Sequence, residues 1–421
     1  MSVNQNFPEV SPSLLLDFAN SRTLDPRITF ERSSVGTYVA SNGLIKTAAA
    51  DEPRFDHDPE TGESLGLLIE ESRTNIVTGV GGATNAILTS GQFNELTGNN
   101  DAYLYQKNAS SSVESQIAIP VSGSVSTTSF TYSAFVKPGT SNKIYFQTVA
   151  NNLSDNAYHY FSIGDNSSVS VDYASSGNLT YTRTITPLHS GWYRLSVTIF
   201  GFSDTSLYLS QVRIGSFAGT TTHPYTNTTD TFYFYGAQVE VGSFPTSYIP
   251  TSGSAVTRVY DNAQILGANF SNSFNTLEGT FVAECDRGND GTEGAGIGTM
   301  RATADSYINM IQFGEFYDNS GYLARVYVGG GAEVFLGATH TTGQGVYNRY
   351  SFAYKTNSFA GAINGVLQSE DTTGALPTGL DRFLFGRYNN DAATQNLDGH
   401  IKKLSYYPQR LTNDQLQNLT K

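Results

Sequence analysis

Apolar and polar positions alternate along most of this chain, in short runs closed by Gly, Asn, Ser or Thr. Patterning with a period of two reads as half-buried β-strands rather than helices. Phe130, Tyr132, Ala134 and Val136 fall on one face of such a run, and Thr131, Ser133, Phe135 and Lys137 on the other. Trp192, Arg194, Ser196 and Thr198 likewise alternate with Tyr193, Leu195, Val197 and Ile199. With Ile144–Phe146 and Phe232–Glu240, these runs predict an antiparallel β-sandwich over residues 76–250.

The same texture returns over residues 259–421. Strands are predicted at Thr280–Glu284, Tyr307–Phe313, Tyr322–Val328, Arg349–Tyr354, Phe383–Phe385 and Ile401–Tyr406. Asn364-Gly365 marks a tight hairpin, and Gly329-Gly330-Gly331 a hairpin tip rather than a phosphate loop, because no helix follows it. Thr412 and Gln415 have the spacing of a capping box, which predicts one short C-terminal helix. Residues 251–258 form the linker, preceded by Pro245 and Pro250, which cannot donate to a ladder.

Residues 1–75 carry a few short apolar runs, a turn at Asn42-Gly43, another at Asp58–Gly62, and an alternation of Leu65, Leu67 and Ile69. They are too sparse to bury themselves. The segment is expected to dock on or wrap around a neighbour, fastened to the first sandwich. The fold class is all-β: two tandem antiparallel sandwiches, an N-terminal docking segment and one short helix.

Composition agrees. Gly (41), Tyr (26) and Phe (25) are abundant, which suits strands and turns and argues against disorder. The formal net charge of -13 offers no basic stripe for nucleic acid or an anionic membrane surface. One cysteine, Cys285, excludes an internal disulfide. The start, Met1–Gln5, has no basic and apolar regions of a secretory leader, so synthesis in a cytoplasm, without export by a standard signal, is expected.

Two phrases then stand out, Arg54–Asn75 and Gly236–Arg258, along with several longer stretches. DPRITFERSSVGTYVASNGLIKTAAADEPRFDHDPETGESLGLLIEESRTN (25–75) resembles a module of tailed-phage virion proteins, of tail, fibre or appendage type. SGWYRLSVTIF (190–200) and FYFYGAQVEVGSFPTSYIPT (232–251) resemble the end of a carbohydrate-binding-module-like jelly roll in that group. NRYSFAYKTNSFAGAINGV (348–366) and LDGHIKKLSYYPQRLTNDQLQNLT (397–420) resemble the closing half of a concanavalin A-like lectin/glucanase, or laminin-G-like, domain. The resemblance implies a virion-surface protein with capsid or tail partners and host cell-surface glycans as ligands. A homotrimer is the expectation by fibre analogy. Within Arg54–Asn75, Arg54 with Asp56 or Asp58, and Glu70 or Glu71 with Arg73, are expected to pin the segment.

The candidate chemistry is thin. Laminarinase-type enzymes use a Glu-x-Asp-x-x-Glu strand. Glu284-Cys285-Asp286 begins that pattern, but Asn289 stands at the third acid. Two carboxylates are needed to cleave a glycosidic bond, so these read as solvent-facing carboxylates on an outlying first strand. Asp56 and Asp58 point to one side of an extended chain and His57 to the other. Calcium on Asp56 and Asp58 is the open cation reading, since laminin-G-like domains often carry Ca²⁺; the other is a solvated turn. The six histidines show no metal spacing. Glycan binding needs aromatic faces beside Asn, Asp or Arg. Two rim loops have that make-up: Tyr317, Asp318 and Asn319 in one, and Arg387, Tyr388, Asn389 and Asn390 in the other. The expected function is a non-enzymatic phage structural protein that contacts glycans. Its rivals are a decoration or adaptor protein without glycan binding, and a polysaccharide depolymerase.

Overall fold

The computed structural model describes residues 7–108, 115–122, 129–150, 157–164, 168–173, 180–200, 209–217, 230–287, 296–303, 308–314, 322–337, 345–387 and 396–421. Among these the chain is all-β, with two tandem sandwiches and short helices at Phe18–Ser21, Gly267–Ser273 and Asn413–Leu419. No helix among the described residues is long and apolar enough to cross a membrane.

The first sandwich has two six-stranded antiparallel sheets. One has Ser129–Pro138 near its middle, between Tyr193–Phe200 and Thr231–Val241, with Thr180–Pro187 at an edge. The other runs through Lys143–Ala150 and Leu209–Ser216. The expected faces hold: Tyr132, Val136, Leu195, Val197 and Ile199 enter one core with Phe146, Val212 and Phe234. Their polar neighbours are not solvated, however. Thr131, Ser133, Ser196 and Thr198 are buried too, because other parts of the chain cover that face.

The second sandwich packs an eight-stranded sheet on a seven-stranded one, and the N-terminal segment is part of both. Leu14–Asp17 pairs with Lys403–Tyr406, Leu67–Ile69 with Gly399–Ile401, and Ile28–Glu31 with Asn262–Ile265. The expected attachment to the first sandwich is therefore corrected. These short strands are ladder members of the C-terminal sandwich, and Leu14, Leu16, Phe18, Ile28, Leu67 and Ile69 belong to its core. At its centre Phe274, Phe281, Phe383 and Tyr406 stack with ring centroids 4.8–6.1 Å apart. Such pairs add about 0.5–1.5 kcal/mol each beyond the area they bury.

The alternation Leu65–Leu67–Ile69 breaks at Gly66, whose φ is +96°. The register shifts there, so Leu67 and Ile69 reach the core while Leu65 does not. A Cβ on Gly66 would lie 2.3 Å from the Ile401 carbonyl oxygen, so only glycine lets this strand lie against Gly399–Tyr407. The hairpins at Asn364-Gly365 and Gly329-Gly330 form as predicted, with positive φ at all four residues. The capping box on Asn413–Leu419 also forms.

Candidate functional site

The two phrases of the sequence meet between the sandwiches, in a buried ionic cluster. Glu70 accepts from Arg54 at 2.6 Å, from Arg258 by a short bond, and from the Ser247 amide at 2.7 Å and hydroxyl at 2.6 Å. Asp261 takes a second bond from Arg54 and one from Arg32 at 2.9 Å. Arg54 thus pairs with Glu70 and Asp261, not with Asp56 or Asp58. Sequence proximity misled there, because Asp56 is taken by the Val39 amide and His400, and Asp58 by its own turn. The Glu71–Arg73 pair forms as expected, at 2.5 Å. Burial alone raises the carboxyl pKa of Glu70, but Arg258 and Arg54 overcome it and hold the group well below the usual carboxylate range.

Two further contacts tie phrase to phrase. Asn75 is fully buried and uses its whole amide: Nδ2 donates to the Ile249 and Ala237 carbonyls, and Oδ1 accepts from the Val77 and Val239 amides. Arg73 lies over the Phe244 ring at 4.8 Å and against Gly242, where any Cβ would overlap its guanidinium. That close approach accounts for the glycine in Val241-Gly242-Ser243-Phe244.

Beside this junction is a cleft of about 600 Å³. One wall is the outer face of the first sandwich, with Thr182, Thr184, Thr186, Arg194, Ser196 and Thr198. Hydroxyls pair across that face, Thr184 with Ser196 at 2.6 Å and Thr131 with Thr198 at 2.8 Å. The facing wall brings Tyr38, His57, Leu65 and Leu68 from the N-terminal segment and Asp286, Asp398 and His400 from the C-terminal sandwich. Phe135, Phe244 and Tyr248 add aromatic surface.

A buried charged triad stands in the facing wall. His400 Nδ1 lies 3.0 Å from Asp286 and Nε2 lies 3.1 Å from Asp56. Asp286 also accepts from the His400 amide at 2.6 Å and the Gly345 amide at 2.9 Å, and Asp56 from the Val39 amide at 2.6 Å. Burial opposes a charge on His400, yet Asp286 and Asp56 push its pKa up to about 10. An imidazolium therefore fills the space between the two carboxylates, where a glycosidic oxygen would have to sit in a hydrolase. The triad cross-links the N-terminal segment to two strands.

The sign of its pH dependence follows. A histidine whose folded pKa rises from 6.5 to about 10 contributes stability fully below pH 6.5 and loses it as pH climbs to about 10. Asp286 is held below its ordinary value of 3.8 against burial, chiefly by His400, so its contribution is lost at acid pH instead. The melting temperature should fall between about pH 6.5 and 10, and His400→Gln should flatten that limb in a thermal scan. An unchanged limb in the variant would contradict this.

Asp286 differs from its expected place: it is 2% exposed, and Glu278–Cys285 is an inner strand between Asn348–Lys355 and Gly399–Tyr407, not an outlying one. Glu284 stays partly exposed beside Arg349 at 3.3 Å. Cys285 is buried, and burial first, then Asp286 and Glu284, raise its thiol pKa, so it is no nucleophile. Asn289 lies outside the described residues.

Asp58 caps its own turn, accepting from the Thr61 amide and hydroxyl and the Glu60 amide. Asp56 and Asp58 therefore turn to different donors, and among the described residues no three His, Cys, Asp or Glu side chains converge to hold a metal. Of the rim-loop residues, Tyr317, Asp318, Asn319, Tyr388, Asn389 and Asn390 lie outside the described residues. Arg387 is 1% exposed, stacked on Tyr260 at 4.3 Å and bonded to Asn262 at 2.6 Å. The cleft itself was missed from sequence. Its one signal was the unusually polar but regular face Arg194–Ser196–Thr198.

No family model matches the chain, and no curated protein matches it. Among solved structures it is similar to the CBM40 of the Ruminococcus gnavus IT-sialidase, at 15% identity over 34% of this chain and 83% of that one, with a TM-score of 0.30. It is similar to domains LG4-5 of the mouse laminin alpha1 chain, at 12% identity over 72% of this chain and 88% of that one, TM-score 0.25. It is also similar to Trypanosoma rangeli sialidase, at 10% identity over 97% of each chain, TM-score 0.29. Likenesses this distant carry no functional argument, and the fold rests on its own strand pairings.

Proposed function

We propose that this protein is a non-enzymatic structural component of a tailed-phage particle, a fibre, appendage or capsid-surface protein, which engages host-surface glycans. The observation that supports glycan engagement is the cleft between the sandwiches, with paired hydroxyls on one wall and aromatic and aliphatic surface beside them. Its volume falls in the range of about 300–1,000 Å³ common to small-ligand sites. The particle assignment is supported by the phrases at 25–75 and 232–251, and a buried ionic cluster that fixes two domains rigidly suits a part under mechanical load. A non-catalytic role is supported by His400 standing between Asp56 and Asp286.

Mass spectrometry of purified particles and a glycan array with the purified chain test the reading. The expected result is multiple copies per particle, a trimer in solution, and binding to host polysaccharide without new reducing ends. Absence from particles overturns the virion role. New reducing ends would favour a depolymerase, and no glycan binding with the sandwiches packed on capsid or tail would favour a decoration or adaptor protein.

A further inference from the structure

We infer that the cleft between the sandwiches takes a neutral saccharide, and that His57, Arg194 and Asp398 select it through polar atoms that the protein leaves unused. The inference rests on the glycan reading and narrows it to one site and one ligand class.

Each of the three residues lines the cleft, and each has one buried polar atom without a hydrogen-bond partner among the described residues: His57 Nε2, Arg194 Nε and Asp398 Oδ2. His57 and Asp398 are 4% and 5% exposed. A buried polar atom left unpaired costs about 1–3 kcal/mol, so three beside one cleft mark a place where a polar partner belongs.

Their chemistry is mixed. His57 Nδ1 lies 3.0 Å from the Val39 carbonyl oxygen, which can only accept, so Nδ1 carries a proton and Nε2 is the ring atom left unpaired. Arg194 Nε can only donate. Asp398 Oδ1 accepts from the Glu71 amide at 2.7 Å. Burial, and then the Glu71 carboxylate, raise the Asp398 pKa well above the ordinary value, which favours a proton on the unpaired Oδ2. An obligate donor and two atoms able to donate or accept therefore stand unpaired among the lining residues.

A sugar hydroxyl both donates and accepts, and a saccharide presents several hydroxyls on one rigid ring. Such a ligand satisfies all three atoms. A carboxylate, sulfate or phosphate only accepts, and would add negative charge to a cleft lined by Asp56, Asp58, Glu70, Asp286 and Asp398. Glu70 is paired with Arg54 and Arg258, and Asp56 and Asp286 with His400, while Arg194 is the one arginine or lysine among the described lining residues. The Nη2 of Arg194 is turned to the Thr246 carbonyl at 2.7 Å and the Ser133 hydroxyl at 3.1 Å. Leu65, Leu68 and Phe135 supply apolar surface for the C–H face of a ring.

The chain's single tryptophan supplies a readout. Trp192 shares a cluster with Leu96, Phe135, Ile45, Leu188 and Tyr248, all of which line the cleft. The test is fluorescence and calorimetric titration of the full chain with lactose, maltotetraose and cellotetraose, and with tetragalacturonate as the acidic probe. Thr184→Trp fills the cleft from an exposed strand position, and His57→Phe removes the unpaired ring nitrogen; circular dichroism checks that both stay folded. At least one neutral probe should bind, with affinity at least ten-fold above tetragalacturonate, and both variants should weaken it at least ten-fold. Tighter binding of the acidic probe overturns the neutral assignment. Neutral binding that survives Thr184→Trp places the site elsewhere and overturns this inference, while glycan engagement stands. Failure of every probe, together with an empty glycan array, removes both.

Discussion

Glu70→Gln is expected to destabilise the protein by about 3–5 kcal/mol, the cost of leaving a buried charge uncompensated. Glu70 is 5% exposed and accepts from both Arg54 and Arg258, themselves buried, while Ser247 closes its remaining valences. The amide keeps the shape and removes the charge, so two guanidiniums that share one carboxylate lose it together. Arg54 keeps Asp261, but Arg258 retains only the Glu71 carbonyl and the Ser247 hydroxyl. For a unit of this size the melting temperature should drop by roughly 10 °C, at about 2–4 °C per kcal/mol. Exposed pairs such as Lys402–Glu63 are the control, since Glu63→Gln should change stability by less than about 1 kcal/mol. An equal effect from the two substitutions would show that the buried cluster has no special weight.

Removing residues 1–75 is expected to abolish folding of the C-terminal sandwich. The segment contributes Leu14, Leu16, Phe18, Ile28, Leu67 and Ile69 to the second core. At roughly 1.5–3 kcal/mol per buried side chain, their loss amounts to about 10 kcal/mol or more. A domain's whole stability is about 5–15 kcal/mol. The truncation also uncovers the edge of Gly399–Tyr407 that Leu14–Asp17 and Leu67–Ile69 now occupy, and an open edge invites aggregation. A fragment of residues 259–421 should be insoluble or molten, and should recover native ellipticity when residues 1–75 are co-expressed. A fragment that melts cooperatively near the full chain's temperature would contradict the shared core.

The all-β class, the alternating faces of Ser129–Pro138 and Tyr193–Phe200, the two hairpins and the capped C-terminal helix were legible in the sequence because each depends on local periodicity or local turn chemistry. The partner of the N-terminal segment was not. Leu14–Leu16 and Leu67–Ile69 look the same whichever sheet they join, and nothing local tells a strand of the first sandwich from one of the second. Arg54 showed the same limit. Its charge was readable, but its partners lie 16 and 207 residues away. What covers the polar face of Arg194, Ser196 and Thr198 was not legible, since alternation cannot tell water from a second domain's cleft. The triad of Asp56, Asp286 and His400 was unreadable for the same reason: three residues, isolated in sequence, meet only through the sheet.

Through the Glu70 cluster and Asn75, Arg54–Asn75 and Gly236–Arg258 lock the two sandwiches into a single body with the cleft between them. Differential scanning calorimetry of the full chain tests it most directly. A single cooperative transition is predicted for the native protein, splitting into two in Glu70→Gln as the sandwiches uncouple. Two separate transitions already in the native protein, unmoved by that substitution, would contradict it.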